Sequence, residues 1–378
     1  MQKFKLKPTI YFGENSLSAL SKLKADNVVI ITDAFMESSG TARHIAERLT
    51  GCGTVHIFSE IRPDPPIELI VHSLRFLLDN KADAVIALGG GSSIDAAKST
   101  VMMARRSTGK NILFVAVPTT SGTGSEVTSF AVITDPNAEA KYPLVSDELL
   151  PDVSVLAPEL VVSAPPAVTA DTGMDVITHG LEAYISTKAN DFSDALAEKA
   201  LSLAFEYLPK AFDNGSDLVA REKMHSASCL AGMAFNDVGL GINHGIAHAL
   251  GAVFHIPHGR ANAMILPDVM EFNSSCRLRG DQDTLPARKM SHIARRLGMA
   301  IPSPKLGARN LVSYLRALRT RVGIPTTLAQ CGVTKEMFEA EKEHIIECAL
   351  ADACTATNPR KATAEDVEKI LSGIAKFR

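Results

Sequence analysis

Four of the eleven histidines in this chain lie within a span of fifteen residues. They are His244, His248, His255 and His258, in the stretch GLGINHGIAHALGAVFHIPHGRANAMILP that covers residues 239–267. The rest of the stretch is mostly Gly, Ala, Leu and Ile, so polar rings placed there need partners. A metal ion, a substrate or both would supply those partners.

Two pairs of candidate metal ligands have helical spacing. Asp175 and His179 are four residues apart in GMDVITHGLEAY, and His244 and His248 repeat that spacing on a second predicted helix. Residues four apart face the same side of a helix. His258 follows in IPHG, whose proline and glycine predict a tight loop. One aspartate and three histidines would complete a four-ligand shell that suits Fe²⁺, Zn²⁺, Mn²⁺ or Co²⁺ better than Mg²⁺ or Ca²⁺.

The remaining histidine of the stretch has no such partner. His255 has no possible ligand at helical spacing, and it either lines the site or caps the loop. The spacing alone also leaves His248 open as a ligand. We expect the histidines outside the stretch, apart from His179, to have ordinary structural or surface roles.

A glycine-rich turn follows a buried strand in AVIALGGGSSIDAAK, residues 84–98. Gly90 and Gly91 let the backbone come close to a pyrophosphate, and free N–H groups at the start of the next helix bind anions. The turn matches neither the GxGxxG pattern nor a P-loop. Taken alone, it could equally be a plain tight connection.

A second loop, after the next strand, strengthens the prediction of a dinucleotide-binding site. Thr119 and Thr120 follow the next strand in VAVPTTSGTGSEVTS, and ligands of parallel sheets bind at the carboxyl ends of strands. Asp33 ends another strand, VVIITD, where a carboxylate can bind ribose hydroxyls and would repel a 2′-phosphate. A solvated loop aspartate is the alternative for Asp33. The pattern predicts NAD(H) rather than NADP(H).

The predicted secondary structure that positions these residues changes along the chain, from alternating strands and helices to helices alone. Strand-like runs alternate with helical segments as far as about residue 160, at 27–32, 54–58, 83–90, 112–118 and 130–134. This alternation predicts a parallel sheet flanked by helices. Downstream, 3.6-residue periodicity dominates. We therefore expect a Rossmann-like α/β dinucleotide-binding domain over residues 1–162 and an all-helical metal-binding and substrate domain over residues 163–378.

The amino-acid composition limits the binding partners that we expect. The chain is 46% hydrophobic and 21% charged with a net charge of −3, so no basic field favours nucleic acid or an anionic membrane. Its six cysteines are scattered, which predicts neither a disulfide framework nor a thiolate zinc site and fits a reducing cytoplasm. No apolar run is long enough to cross a bilayer. We expect a cytoplasmic protein.

Four segments resemble signature regions of the iron-containing (group III) alcohol dehydrogenases: GGGSSIDAAK, PTTSGTGSEVTSFAVITD, TGMDVITHGLEAYIS and GLGINHGIAHALGAVFHIPHGRANA. The similarity runs along nearly the whole chain. The resemblance implies that His248 lies beside the substrate and nicotinamide, and that the metal ligands are Asp175, His179, His244 and His258. The positions that match dinucleotide contacts are Gly90, Gly91, Ser92, Asp95, Thr119, Thr120 and Lys141.

The resemblance also implies an activity. Family members transfer hydride between NAD(H) and an alcohol or aldehyde, with Fe²⁺ as Lewis acid; Zn²⁺ can replace Fe²⁺ during handling. The family is commonly dimeric. FSEIRPDPPI, KYPLVSDELLPDVSVL and DFSDALAEKALSLAFEYLP are similar to a branch that acts on propanol in propanediol-utilising bacterial microcompartments. We expect short-chain substrates such as propanal, because Phe130 and Phe254 flank the signature loops.

The same branch suggests a place in the cell. We expect a homodimer that works with a partner enzyme in a microcompartment. The pattern predicts a first strand that starts within a few residues of Met1, so we expect no N-terminal encapsulation helix and recruitment through the partner.

Two other classes are alternatives. Sugar-phosphate cyclases of the dehydroquinate synthase type share this architecture, but they need several cations for an anionic substrate, and the motif region offers mainly Arg260. A non-catalytic subunit of an enzyme assembly is the third possibility. The intact set of aspartate and histidines argues against it.

Overall fold

The computed structural model describes residues 4–135, 140–276 and 283–377. The chain divides into two compact units, Met1–Ser163 and Ala164–Arg378. Within the described residues, we find no helix with the length and apolarity needed to span a membrane.

The first unit is built around strands that run through buried apolar sequence. They are β1 (Thr9–Phe12), β2 (Asn27–Asp33), β3 (Thr54–Ile61), β4 (Ala84–Gly89), β5 (Leu113–Pro118), β6 (Phe130–Asp135), β7 (Ala140–Val145) and β8 (Val153–Leu156). Six of them form one parallel sheet in the order β1-β8-β5-β4-β2-β3. The central strands are buried on both faces, which is why they read as continuous apolar runs.

Helices cover both faces of this sheet. They are α1 (Ala34–Ser38), α2 (Thr41–Arg48), α3 (Ile67–Asp79) and α4 (Gly91–Thr108). Side chains alternate across the strands, so Val85 and Ala87 pack in the core that includes α3 and α4, whereas Ile86 packs on the opposite face with Ile45 of α2. The carboxyl end of β4 leads directly into α4, which places the glycine turn at a helix start.

The strand predicted at residues 130–134 exists, but its predicted place in the parallel sheet is wrong. β6 pairs with β7 as an antiparallel hairpin outside the main sheet. A parallel crossover needs a dozen or more residues and usually a helix, and only a loop with a short 3-10 turn separates β5 from β6. Period-two alternation is the same in both kinds of pairing, so the sequence pattern did not distinguish them.

The second unit is helical throughout its described residues. Its helices are α5 (Pro166–Ile185), α6 (Asp191–Asp213), α7 (Leu218–Val238), α8 (Ile242–Phe254), α9 (His258–Ser274), α10 (Leu285–Arg296), α11 (Pro304–Arg321), α12 (Lys335–Ala351) and α13 (Ala364–Ile374). One hydrophobic cluster joins them. The predicted fold class, a parallel α/β unit followed by a helical unit, is confirmed.

Candidate metal and cofactor sites

Three helices of the second unit bring together four of the predicted ligands. Asp175 and His179 lie on α5, His244 lies on α8 and His258 is the first residue of α9. Each offers one ligand atom, and these four atoms lie within 4.8 Å of one another. Atoms bound to one ion at about 2.0–2.2 Å lie at most about 4.4 Å apart, so small shifts would close this shell around a metal.

The charge state of the group suits a transition-metal ion. Asp175 Oδ1 lies 3.8 Å from His244 Nε2 and 3.7 Å from His258 Nε2. Burial lowers the pKa of His244 well below its usual value, and the neighbouring histidines lower it further. Its buried Nε2 atom makes no hydrogen bond. A neutral imidazole lone pair facing a carboxylate is the donor set that Fe²⁺ or Zn²⁺ takes, so these residues fit the family's metal.

A buried glutamate orients His244. Glu182 Oε2 lies 2.5 Å from His244 Nδ1, and both side chains are 1% exposed. Glu182 Oε1 accepts the Asn243 N–H at 2.8 Å, which fixes the carboxylate. Burial raises the pKa of Glu182 to about 8, against the opposing effect of these backbone donors. The backbone donors favour the ionised form of Glu182, and in that form it accepts the His244 Nδ1 proton and would leave Nε2 for a metal.

An asparagine supports the opposite side of the group. Asn262 Nδ2 donates to Asp175 Oδ1 at 2.8 Å and lies 3.1 Å from His258 Nε2. Asn243 Nδ2 in turn donates to Asn262 Oδ1 at 2.9 Å. Burial raises the pKa of Asp175, and the His179 charge and the Asn262 hydrogen bond oppose that shift. The aspartate oxygen is thus held in place by the protein.

Glycines allow the three helices to approach this closely. A Cβ on Gly259 would lie 2.4 Å from the Asp171 carbonyl oxygen of α5, and one on Gly241 would lie 2.6 Å from Glu182 Oε1. Neither distance is possible for a real side chain. His258 and His244 therefore reach the group because the residues beside or near them have no side chain.

The predicted loop at His258 is wrong. Pro257 occupies the N-cap position and His258 opens α9, so the loop is confined to residues 255–257. Proline is common just before or at a helix start as well as in turns, and the sequence did not separate these uses. His255 ends α8 in the left-handed conformation with φ of 54° and is exposed, which matches the capping alternative.

His248 is not among the four grouped residues. It belongs to a second set with Asp352 and Cys354, and its Nδ1 lies 2.8 Å from Asp352 Oδ2. Its ring stacks on that of His258 with centroids 5.3 Å apart. Among the described residues, the other histidines belong to neither set.

Sequence reasoning missed Glu182, Asn262 and Asp352. Two of the three had a signal: Glu182 lies seven residues after Asp175, and Asn262 four residues after His258, so each shares a helix face with a predicted ligand. Asp352 lies 104 residues from His248 and had none.

In the first unit, the two predicted phosphate-binding loops face each other. A Cβ on Gly90 would touch Thr120 at 3.4 Å, and a Cβ on Gly91 would lie 2.9 Å from Thr123 Cγ2. The Thr119 N–H donates to the Gly89 carbonyl at 3.0 Å. Ser92 follows in the first turn of α4, where backbone N–H groups are available to an anion.

Two predicted cofactor carboxylates also have structural partners. Asp33 Oδ1 accepts the Met36 N–H and caps α1, while Oδ2 lies beside Gly89, 3.4 Å from where a Cβ would be. Asp95 accepts the Ser125 hydroxyl at 2.6 Å and the Val132 N–H at 3.0 Å, so one of its oxygens braces the second loop and the other binds strand β6. Lys141 lies in β7, but its side chain is not part of the described structure.

A buried lysine that sequence reasoning missed holds the same loop. Lys98 Nζ donates to the carbonyls of Thr128 and Phe130 at 2.8 and 2.7 Å. Burial lowers the pKa of Lys98 to about 8 and raises that of nearby Glu126 to about 7. The loop that carries Thr119 and Thr120 is therefore fixed by buried polar contacts at its far end.

Comparison with known proteins identifies the family. The profile of "Iron-containing alcohol dehydrogenase" matches residues 7–158, and "Fe-containing alcohol dehydrogenase family, C-terminal" matches residues 169–375. A 1-propanol dehydrogenase, PduQ of Citrobacter freundii, is 43% identical over 98% of this chain and 99% of its own. An NADPH-dependent butanol dehydrogenase of Clostridium saccharobutylicum is 37% identical over 98% and 97%. A crystal structure of 1,3-propanediol oxidoreductase superposes with a TM-score of 0.89 at 32% identity, covering 98% and 99%.

The chain belongs to the iron-containing alcohol dehydrogenase family. It is an oxidoreductase of the alcohol dehydrogenase type, and the metal of the family is iron.

We predict that Glu182→Gln weakens metal binding by about 10–100-fold. The glutamine oxygen will accept the Asn243 N–H, so its NH₂ group will face His244 Nδ1 and move the imidazole proton to Nε2. Titration of the apo protein with Fe²⁺ or Co²⁺ measures the affinity. Glu198→Gln, which changes a hydrogen bond to the Tyr184 hydroxyl, is the matched control. Equal affinity in the two variants would contradict the role given to Glu182.

Proposed function

We propose that this protein interconverts short-chain aldehydes and primary alcohols, with propanal to 1-propanol as the preferred reaction, using Fe²⁺ and NAD(H). The observation that carries the proposal is the convergence of Asp175, His179, His244 and His258 within 4.8 Å. It occurs in a chain 43% identical, over nearly full length, to a protein named 1-propanol dehydrogenase.

In this proposal the four grouped residues hold the metal. Glu182 directs His244 Nε2 toward it, and Asn262 holds Asp175. When bound, Fe²⁺ supplies Lewis acidity toward a carbonyl oxygen, and NADH supplies the hydride. Reduction also needs a proton at that oxygen. His248 is the titratable group one helical turn from His244, and we assign it that proton transfer.

The dinucleotide is assigned to the facing loops of the first unit. Backbone N–H groups at Gly91 and Ser92 would bind the pyrophosphate at the start of α4, with Gly90 leaving space for it. Thr119 and Thr120 line the second loop, and Asp33 would bind the ribose. Asp95 acts on the site through the loop it braces, because its carboxylate is occupied by Ser125 and Val132.

The contacts of Arg260 argue against the alternative function, a sugar-phosphate cyclase. Arg260 forms an ion pair with Asp171, with Nη2 and Oδ2 3.0 Å apart, so the motif's cation is already neutralised. A substrate phosphate would have to displace that carboxylate.

Substrate preference can be measured directly. We predict that iron-loaded protein reduces propanal with NADH and that kcat/KM falls for aldehydes longer than about five carbons, because a relative 43% identical to this chain is named for 1-propanol. Steady-state assays across a series from ethanal to octanal test this. A flat chain-length profile would argue against a small apolar site, and absence of any alcohol dehydrogenase activity would overturn the proposed function.

The roles proposed for the two histidines of α8 predict different effects when each is replaced. His244→Ala or His258→Ala should lose iron and activity together, whereas His248→Ala should keep the metal and lose turnover by about 10²–10⁴-fold. Metal analysis alongside kinetics measures both effects. His292→Ala, which alters a half-exposed residue of α10, is the control. Metal loss in His248→Ala equal to that in His244→Ala would make His248 a ligand.

Asp33 is predicted to set the preference for NADH. A relative is named as NADPH-dependent, so family membership alone does not decide the cofactor. Asp33→Gly should raise the kcat/KM ratio of NADPH to NADH, because it removes the charge facing the 2′-phosphate, while glycine costs only a few tenths of a kcal/mol at an N-cap. Asp217→Gly, at the N-cap of α7, is the matched control. Equal use of both cofactors by the unaltered protein would show that Asp33 is misassigned.

We further propose a homodimer that is recruited to a bacterial microcompartment by a partner enzyme. Among the strands in the described part of the chain, β1 pairs on one side only. Tyr11 and Phe12 on this edge are 39% and 67% exposed, which favours pairing with a second copy. The similarity to PduQ supports the location. Sedimentation analysis tests the dimer, and a reporter fused to residues 1–20 should stay outside the shell.

A further inference from the structure

His248 has a carboxylate partner just beyond the end of another helix, α12. Its Nδ1 atom lies 2.8 Å from Asp352 Oδ2, and the side chain of His248 is 42% exposed while that of Asp352 is 20% exposed. A carboxylate can only accept from an imidazole nitrogen that carries a proton, so this contact selects the tautomer with hydrogen on Nδ1. Nε2 is then the atom left for proton exchange.

Asp352 is itself held in place. It follows the last residue of α12 and caps the 3-10 turn Ala353–Thr357, and its Oδ1 accepts the Cys354 N–H at 2.8 Å. The Thr355 hydroxyl donates to the Ala349 carbonyl at 2.7 Å, which ties this turn back onto α12. The carboxylate therefore has one oxygen committed to the backbone and the other directed at His248.

Helix α8 packs closely against this turn. A Cβ on Gly245 would lie 2.5 Å from Thr355 Oγ1 and 2.8 Å from the Ala349 carbonyl oxygen, so only glycine permits the approach. On its other side the His248 ring stacks on His258 at an interplanar angle of 22°. Two independent contacts thus fix the plane and the tautomer of one half-exposed imidazole.

The same arrangement occurs one turn earlier on α8. His244 Nδ1 faces Glu182 as His248 Nδ1 faces Asp352, which leaves Nε2 as the working atom of both rings. Only the His244 pair is fully buried.

We propose that Asp352 is a positioning residue for the reaction: its carboxylate keeps a proton on His248 Nδ1 and directs Nε2 toward the substrate oxygen. In aldehyde reduction the imidazolium then gives its Nε2 proton to that oxygen, is left as the neutral Nδ1–H tautomer, and takes a new Nε2 proton from solvent. This inference rests on the proton-transfer role proposed for His248. Asp352 makes no contact with substrate in this scheme and acts through the imidazole.

Asp352→Asn tests the tautomer without changing size. The Cys354 N–H needs an acceptor, so the amide oxygen will face it and the NH₂ group will face His248 Nδ1. That donor forces the proton to Nε2, the wrong tautomer. Nitrogen-15 NMR of histidine-labelled, Zn²⁺-loaded full-length protein reports the tautomer, with His248 assigned by its loss in His248→Gln. We expect Nδ1–H in the unaltered protein and Nε2–H in Asp352→Asn.

Kinetics of the iron-loaded variants give the second readout. Asp352→Asn should lower kcat by about 10²-fold, within the range of proton-transfer contributions, with metal content and KM within twofold of the unaltered protein. Asp352→Ala leaves the imidazole free to adopt either tautomer, so it should be less impaired than Asp352→Asn. Asp366→Asn, which alters the carboxylate that accepts the Thr363 N–H at α13, is the control and should have full activity.

The outcomes separate this inference from the proposed function. An Nε2–H tautomer in the unaltered protein would overturn the positioning role whatever the activity. Full turnover in Asp352→Asn, or a loss that persists equally when His248 is already replaced, would also overturn it. Failure of the unaltered protein to reduce any aldehyde would instead refute the proposed function, and the NMR result would still report on Asp352.

Discussion

The helical unit depends on the burial of one carboxylate against two imidazoles. Asp175 is buried on α5 and faces His244 and His258 at 3.7–3.8 Å, and its pKa is raised because it has lost water. A buried carboxylate is costly unless a cation or hydrogen bonds replace its solvation. Asn262 supplies one hydrogen bond, and a divalent ion would supply the remaining charge. Because such an ion binds only the folded arrangement, its binding free energy would add to the stability of the three helices that carry the ligands.

In both units, glycine residues let neighbouring backbone segments approach one another closely. In the helical unit, Gly259 lets the start of α9 contact the α5 backbone, and Gly245 does the same for α8 and the turn after α12. In the α/β unit, Gly91 leaves room for Thr123 across the two loops. Adding a methyl group at any of these positions would require backbone or neighbouring atoms to move by several tenths of an ångström or more. Functional side chains in this protein are therefore placed as much by neighbouring glycines as by their own helices.

The features predicted from sequence are those with a local signature. Buried strands before glycine turns and i,i+4 pairs such as Asp175 and His179 identify the α/β unit, the helical unit and the clustered ligands, because each pattern spans only a few residues. The hairpin of β6 was assigned to the wrong sheet because alternation does not encode the partner strand. The sequence predicts a loop at His258, where α9 in fact begins, because proline is common both in loops and at helix starts. Asp352 could not be found, since its contact with His248 is set by packing of distant helices.

His244 and His248 lie one turn apart on the same helix, yet their surroundings favour different chemistry. Each has Nδ1 directed at a carboxylate, so each offers Nε2. His244 and Glu182 are fully buried, and burial lowers the pKa of His244, which favours the neutral ring whose lone pair a metal needs. The pair of His248 and Asp352 is open to water, so a proton lost from Nε2 can be replaced from solvent. A metal ligand must stay deprotonated, whereas a proton donor must be recharged after each turnover. The different burial of two otherwise equivalent pairs thus supports the proposed assignment of His244 to the metal and of His248 to proton transfer.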